Sequence, residues 1–151
     1  MELHTKNLRI LPCTELFLSS VSTNYPLGQH IKNYLDELKN DSSLLGWGVW
    51  FVIEKETNQI VGDIGFKGKP NLENSVEVGY GILPSSQNKG YATGAVKELL
   101  NWAFSKPNVT KIIAECLEDN HSSIRVLEKL NMKKVGLENH MIKWQLEKSI
   151  E

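Results

Sequence analysis

The sequence predicts a mixed α/β fold, a single mostly antiparallel sheet of about seven strands with about four helices on its faces. Three observations carry this. The run from Gly46 to Ile53 is apolar at nearly every position. A polar turn, Glu54 to Gln59, and a second apolar run, Ile60 to Lys67, follow it, so two antiparallel strands lie next to each other with the first covered on both sides. Further on, Val76, Val78, Tyr80 and Ile82 alternate with Glu77, Gly79, Gly81 and Leu83. That strand leads through a glycine-containing loop into the helical stripe Ala92, Ala95, Val96, Leu99 and Ala103, and then into the apolar run Lys111 to Leu117. This is a strand–helix–strand crossover, which adds a parallel pair to an antiparallel sheet. Finally, 151 residues with 40% hydrophobic and 23% charged side chains suit one globular domain, expected to span 1–151.

The elements follow in order. Leu8 to Leu11 is a short strand. Pro12 to Ser20 and Gly28 to Leu38 are helical, the second with Ile31, Leu35 and Leu38 on one face. Asn40 to Ser43 is a loop, and Lys69-Pro70-Asn71 breaks the chain before the alternating strand. Pro107 stops the helix that runs from Ala92 to Phe104. Asn120 caps a helix carrying Ile124, Leu127 and Leu130. Met132 to Leu137 and Met141 to Leu146 close the chain as a pair of strands.

Composition narrows the function. A net charge of −1 gives no broad electrostatic footprint for nucleic acid or an anionic membrane, and neither is an expected partner. The start, Met1 to Lys6, lacks the apolar stretch of a signal peptide, and no run is long enough to span a bilayer. The expected location is the cytoplasm, where Cys13 and Cys116 would be buried free thiols. His4, His30, His121 and His140 show no metal-ligand spacing, so no metal is expected.

The most informative stretch is Gln87-Asn88-Lys89-Gly90-Tyr91-Ala92, between a strand and a helix start. Backbone N–H groups there can converge on one anion, the helix dipole favours negative charge, and Gly90 admits a close approach. The local chemistry suits a phosphate or pyrophosphate; a helix start with a solvated turn would produce a similar string. No Gly-Lys-Ser/Thr follows a four-residue spacer, and Gly79, Gly81 and Gly90 do not make Gly-x-Gly-x-x-Gly, so neither common nucleotide loop fits.

The string resembles the acyl-CoA pyrophosphate loop of the GNAT superfamily of N-acetyltransferases, Arg/Gln-x-x-Gly-x-Gly/Ala, with Gln87, Gly90 and Ala92 at its defined positions. The element order is similar to that fold along nearly the whole chain. Val76-Glu77-Val78-Gly79-Tyr80 resembles the Glu-x-Gly-Tyr strand of the branch related to ribosomal-protein N-terminal (alanine) acetyltransferases. Asn120-His121-Ser122-Ser123 resembles its Asn-x-x-Ser, and Gly136 the glycine of a later strand. Two positions depart from the pattern: Asn131-Met132 stands for Gly-Phe, and Leu127 stands where other branches carry a thiolate-protonating Tyr.

The resemblance implies an acetyl-CoA-dependent N-acetyltransferase acting on a primary amine, a protein N-terminus or a small molecule, by direct transfer in a ternary complex. Glu77 shares a strand face with Gly79 and Gly81. An acid on a strand is commonly just solvated or paired with Lys; the resemblance makes it the expected base, directly or through water. A backbone N–H near Gly81 or Ile82 would meet the oxyanion, on a strand that is bulged and splayed in the family. Ile82, Leu83 and Asn120 would bond the pantetheine arm. Gln87, Asn88, Lys89, Gly90, Tyr91, Ala92 and Thr93 would hold the pyrophosphate. Ser123 is a candidate acid or partner for the leaving thiolate, a task that water could also do, and Arg125 is either a contact to the nucleotide phosphate or, the plainer reading, a surface side chain. Ser22 to Gln29, Lys67 to Ser75 and Glu138 to His140 are the expected acceptor contacts. A monomer or a homodimer is compatible with all of this. A non-catalytic acyl-CoA sensor of the same fold is the principal alternative; a nucleotide-phosphate-binding domain of another mixed fold is a more distant one.

Overall fold

Apolar patterning and turn chemistry account for the element order in the computed structural model, which describes residues 1–149. The strands are β1 (Leu3–His4), β2 (Leu8–Pro12), β3 (Val49–Glu54), β4 (Gln59–Phe66), β5 (Ser75–Ile82), β6 (Lys111–Leu117), β7 (Lys133–Glu138) and β8 (Met141–Glu147). The helices are α1 (Glu15–Ser20), α2 (Gln29–Asn40), α3 (Tyr91–Phe104) and α4 (His121–Lys129). One sheet runs in the order β1-β2-β3-β4-β5-β6-β8-β7. Every neighbouring pair is antiparallel except β5 and β6, the two strands joined by the α3 crossover.

The sheet has eight strands where the sequence suggests about seven. The addition, β1, is two residues long and pairs Leu3 with Ile10 and His4 with Arg9. Two residues are too few to show an alternation; a turn in which Thr5 Oγ1 accepts the Leu8 N–H at 3.0 Å brings them back onto β2. The first helix starts later than expected. Pro12 finishes β2 opposite Trp50, and Thr14 caps α1 by accepting the Phe17 N–H at 3.0 Å.

Two apolar clusters sandwich the sheet. The larger lies under α3 and α4, where Val96, Leu99, Ile112 and Leu127 are fully buried beside Trp50 and Trp144. The smaller sits between the opposite face and α2, around Ile31, Tyr34 and Phe51. Cys13 and Cys116 are buried and unpaired, and burial pushes the Cys13 thiol up to about 12. Backbone approach is closest where β4 passes Gly48. A Cβ on Gly65 would lie 1.9 Å from the Gly48 carbonyl oxygen, so this crossing requires glycine. Among the described residues no helix is long and apolar enough to cross a membrane.

The central feature is a divergence. β5 pairs with β6 only at Ser75, Val76 and Glu77, while its register against β4 runs unbroken from Val78 to Ile82. The splay expected from the resemblance is present. The bulge is not: the strands separate without an extra residue in the β4–β5 ladder. Tyr80 stands in the resulting wedge, its hydroxyl donating to the Ser123 carbonyl at the start of α4, 3.3 Å away.

The loop that follows β5 is tied to the end of β3 through Glu54. The Tyr91 hydroxyl, in the first turn of α3, donates to Glu54 Oε2 at 2.5 Å, at the end of β3. Thr57 Oγ1 donates to the other carboxylate oxygen at 2.9 Å. Glu54 is 8% exposed, and the Tyr91 hydrogen bond, then that of Thr57, hold its carboxyl below the ordinary value. A depressed folded-state value means a contribution to stability that is present above the unfolded carboxyl range and lost as pH falls through the folded value. Tyr91→Phe is therefore expected to lower stability by about 1 kcal/mol at neutral pH. The gap to the unsubstituted protein should shrink under acid; urea denaturation at neutral and acidic pH measures both.

Candidate functional site

The backbone of β5 decides which groups reach the wedge. The Glu77 carbonyl accepts from Lys67 N–H at 3.0 Å, and Leu83 N–H donates to the Val61 carbonyl at 2.8 Å, so the odd-numbered groups point at β4. Antiparallel alternation turns the amides of Tyr80 and Ile82 the other way, into the gap that β6 has left. Of the two oxyanion donors expected, Ile82 has the right orientation and Gly81 does not. Leu83 corrects an expectation. Its N–H is taken by Val61 and its carbonyl by Ser86 N–H at 2.8 Å, so neither is free to bond a pantetheine arm, and Leu83 does not line the cleft.

The loop after β5 presents a row of main-chain donors. Asn88 (φ 64°) and Gly90 (φ 75°) both take the left-handed conformation. That bend makes a concavity of N–H groups, and the first turn of α3 adds more that have no partner within the helix. Gln87 contributes differently: its side-chain amide donates to the Ile82 carbonyl at 2.9 Å and braces the loop against the strand end. Gln87, Asn88, Gly90, Tyr91, Ala92 and Thr93 all line a cleft of about 310 Å³ whose other wall is α4. Lys89 does not; its Nζ lies 3.8 Å from Glu54 Oε2 and over the Tyr91 ring.

On the α4 wall, Asn120 Oδ1 accepts from Ser123 N–H at 3.2 Å and from the Ser122 hydroxyl at 3.1 Å, which is the cap the sequence predicts. Ser123 lines the cleft, and its hydroxyl has no hydrogen-bond partner among the described residues. Arg125 and Lys129, one helical turn apart, put two cations on the same wall. By sequence Lys129 only opens the stretch Lys129-Leu130-Asn131-Met132 that stands for the family's Lys-x-Gly-Phe, and no binding role was expected of it. Leu127 is fully buried, so hydrocarbon occupies the place of the family's Tyr.

A second cleft, of about 640 Å³, opens on the other face of β4 and β5. Tyr80 and Gly81 line both clefts, so the two meet there. A Cβ on Gly81 would meet no atom within 4 Å, and one on Gly79 would meet only Lys67 Cε at 3.8 Å; these glycines border open space and do not relieve crowding beneath a tryptophan. Tyr80 is half-buried, and burial pushes its phenol up to about 12, which keeps it a neutral donor. Burial keeps the Cys thiols away as well: neither Cys13 nor Cys116 lines a cleft.

Glu77 lies on the face of the second cleft but outside its lining, with Oε2 2.7 Å from Lys67 Nζ. Four residues of extended chain, roughly 13 Å, separate it from Gly81. Of the expected acceptor segments, Lys67 and Gly68 line the second cleft, and Tyr25 reaches it through Asp63. The turn Glu138-Asn139-His140 lines neither cleft; His140 Nδ1 sits 2.7 Å from Glu118 Oε1. Two groups that the sequence reading gave no part in the site gather here with Tyr25 of the expected segment: Asp63 on β4, with Tyr25 on one carboxylate oxygen and His30 on the other.

Comparison with known proteins places this geometry. Residues 15–133 match the model of the acetyltransferase (GNAT) domain. YjdG of Bacillus subtilis (strain 168), named an uncharacterized N-acetyltransferase, is 35% identical over 100 residues, covering 66% of this chain and 60% of that protein. The uncharacterized N-acetyltransferase p20 of Bacillus licheniformis is 33% identical over 102 residues, 67% of this chain and 57% of its own length. The chain thus spans about three fifths of the curated relatives it matches. Among solved structures, the ribosomal-protein-S5-alanine acetyltransferase of Vibrio fischeri superposes with a TM-score of 0.78 at 17% identity, covering 98% of this chain and 97% of that one. The spermidine N-acetyltransferase of Vibrio cholerae, in complex with CoA and spermine, gives 0.73 at 14%, covering 95% and 97%. At these identities the structures speak for the fold alone; the domain match across most of the chain shows that this protein belongs to the GNAT acetyltransferase family.

Proposed function

We propose that the chain is an acetyl-CoA-dependent N-acetyltransferase that moves the acetyl group to a primary amine by direct attack in a ternary complex. The observation that carries this is the meeting of two unlike clefts at Tyr80 and Gly81, one walled by main-chain amides and cations, the other largely apolar and carrying the carboxylates of Glu37 and Asp63. The first suits a diphosphate and a thioester arm, the second a cationic acceptor.

In this reading the amides of Asn88 through Thr93 take the pyrophosphate, with Arg125 and Lys129 adding charge. Asn120 and the strand edge at Ile82 hold the pantetheine arm. The thioester carbonyl lies in the wedge, where the Ile82 N–H stabilises the tetrahedral oxyanion. The amine arrives from the second cleft, loses a proton, and attacks the carbonyl carbon. Collapse breaks the C–S bond, and the thiolate takes up a proton with Ser123 as its hydrogen-bond partner in place of the family's Tyr. The absence of a thiol from both clefts supports direct transfer over an acyl-enzyme. Glu77, roughly 13 Å along the strand and paired with Lys67, draws its proton through water rather than by contact.

The related proteins' names carry two acceptor classes, a ribosomal-protein alanine and spermidine. Both are amines, and either fits a carboxylate-lined cleft. Release of free CoA from acetyl-CoA over a panel of alkyl amines, polyamines and N-terminal peptides tests the activity. Binding of acetyl-CoA without turnover across the panel would favour the sensor, an outcome to which the hydrocarbon at Leu127 lends weight.

Two substitutions examine the parts separately. Gly90→Ala puts a side chain where φ is 75°, a strain of about 1–2 kcal/mol. Calorimetric titration should show acetyl-CoA bound about tenfold more weakly. Glu77→Gln should lower kcat on the order of tenfold, short of the 10²–10⁴ of a base in direct contact, and leave acetyl-CoA affinity unchanged. An unaltered kcat at neutral pH removes Glu77 from proton transfer.

A further inference from the structure

We propose that Asp63, held by Tyr25 and His30, is the group that receives the acceptor's ammonium and takes its proton, with His30 as the exit to solvent. This deepens the transferase reading and rests on it.

Asp63 stands directly opposite Gly81 in the β4–β5 ladder. Opposed residues in an antiparallel pair hold their Cβ positions ~5 Å apart, and Gly81 leaves its own side of that space empty. The carboxylate is therefore beside the point where the clefts join. Glu77 is four residues further along the strand. Asp63 is also the better-prepared acid. Its side chain is 19% exposed; the Tyr25 hydroxyl donates to Oδ1 at 2.5 Å, and His30 Nε2 lies 2.8 Å from Oδ2. Burial first, and then the hydrogen bond to Asp63, push the Tyr25 phenol upward, so Tyr25 stays a donor. A carboxylate offers about four acceptor positions, so two remain for an incoming –NH₃⁺. Among the described residues no cation is paired with Asp63 apart from what His30 itself contributes, whereas Lys67, just past the end of the same strand, is occupied by Glu77.

The proton count closes. An ammonium R–NH₃⁺ gives one proton to Asp63, which passes it through His30, 61% exposed, to water. The free amine forms the N–C bond. The tetrahedral nitrogen then loses a second proton, which Glu77 relays through water to the departing sulfur as the C–S bond breaks. The products are the amide, free CoA and one proton in solution.

The cleft also sets a substrate class. Tyr34, Trp47, Ile64 and Phe66 give it apolar walls, with Glu37 exposed among its lining residues. A primary ammonium on an apolar body fits. A free amino acid does not, because its carboxylate would sit against Asp63.

Asp63→Asn keeps the shape and removes the charge. With the best alkyl amine of the panel at neutral pH, kcat/KM should fall by a factor on the order of 10²–10⁴, and by more than in Glu77→Gln. Acetyl-CoA affinity by calorimetry should not move. Hydroxylamine, already neutral at that pH, needs neither ammonium recognition nor deprotonation, so its loss should be at least tenfold smaller. His30→Gln, at an exposed position, should reproduce a partial form of the same selectivity. Equal losses for the alkyl amine and hydroxylamine, or an Asp63→Asn enzyme as active as the unsubstituted one, overturn the assignment. An unsubstituted protein that binds acetyl-CoA but acetylates no amine overturns the transferase reading first, and this one with it.

Discussion

After Glu77 the fifth strand has no partner on one side, and that unpaired edge organises the rest of the molecule. A buried N–H without a partner costs about 1–3 kcal/mol, so a sheet interior normally closes. Here it does not close, and the cost is avoided because the gap opens to a cleft on each face. The consequence is a main-chain edge in the middle of a sheet, rigid because β4 holds its other side in unbroken register. A chain of pantetheine's shape can complete such an edge as an added strand would. Side chains could supply the same donors only with loss of rotamer freedom. Strand backbone supplies them already fixed.

The divergence also separates charge. On the α3–α4 side stand a helix N-terminus, a left-handed loop and two cations; on the α2 side stand Asp63 and Glu37, with Lys67 neutralised by Glu77. A net charge of −1 conceals this arrangement because the two sides cancel. Under the proposed function, an anionic cosubstrate and a cationic acceptor would each be drawn to a different face and would meet at Tyr80 and Gly81. The aromatic ring in the wedge lines both clefts, and its hydroxyl links β5 to the Ser123 carbonyl at the start of α4.

Legibility in the sequence followed the range of the interactions. The β3–β4 pair, the β5–α3 junction and the Asn120 cap are local, and each shows in period or in residue type. The bend of the Gln87–Thr93 loop was legible because a left-handed turn into a helix start writes its requirements, Asn88 and Gly90, into consecutive residues. β1 was not legible because two residues carry no period. Gln87's brace on Ile82 and the Tyr91–Glu54 tie were not, because each joins segments that only the fold brings together. Leu83 looked like an extension of an edge; whether an N–H at a strand end points in or out depends on the register with β4, which alternation alone does not reveal.

Asp63 is the clearest case of a signal present but outweighed. Both it and Glu77 are acids set among apolar and glycine positions of a strand. Glu77 sits in a string that resembles a known pattern, and Asp63 does not. Pattern weighs residues by their neighbours in sequence, whereas proton transfer weighs them by distance to one atom. In an antiparallel ladder the shortest route to Gly81 is across the sheet, to its partner on β4, rather than along β5. The carboxylate that a register argument selects is therefore the one whose charge the tyrosine and histidine of a distant segment have been brought to hold. Two hydrogen bonds spanning 38 and 33 residues are a large ordering cost for a side chain that does nothing.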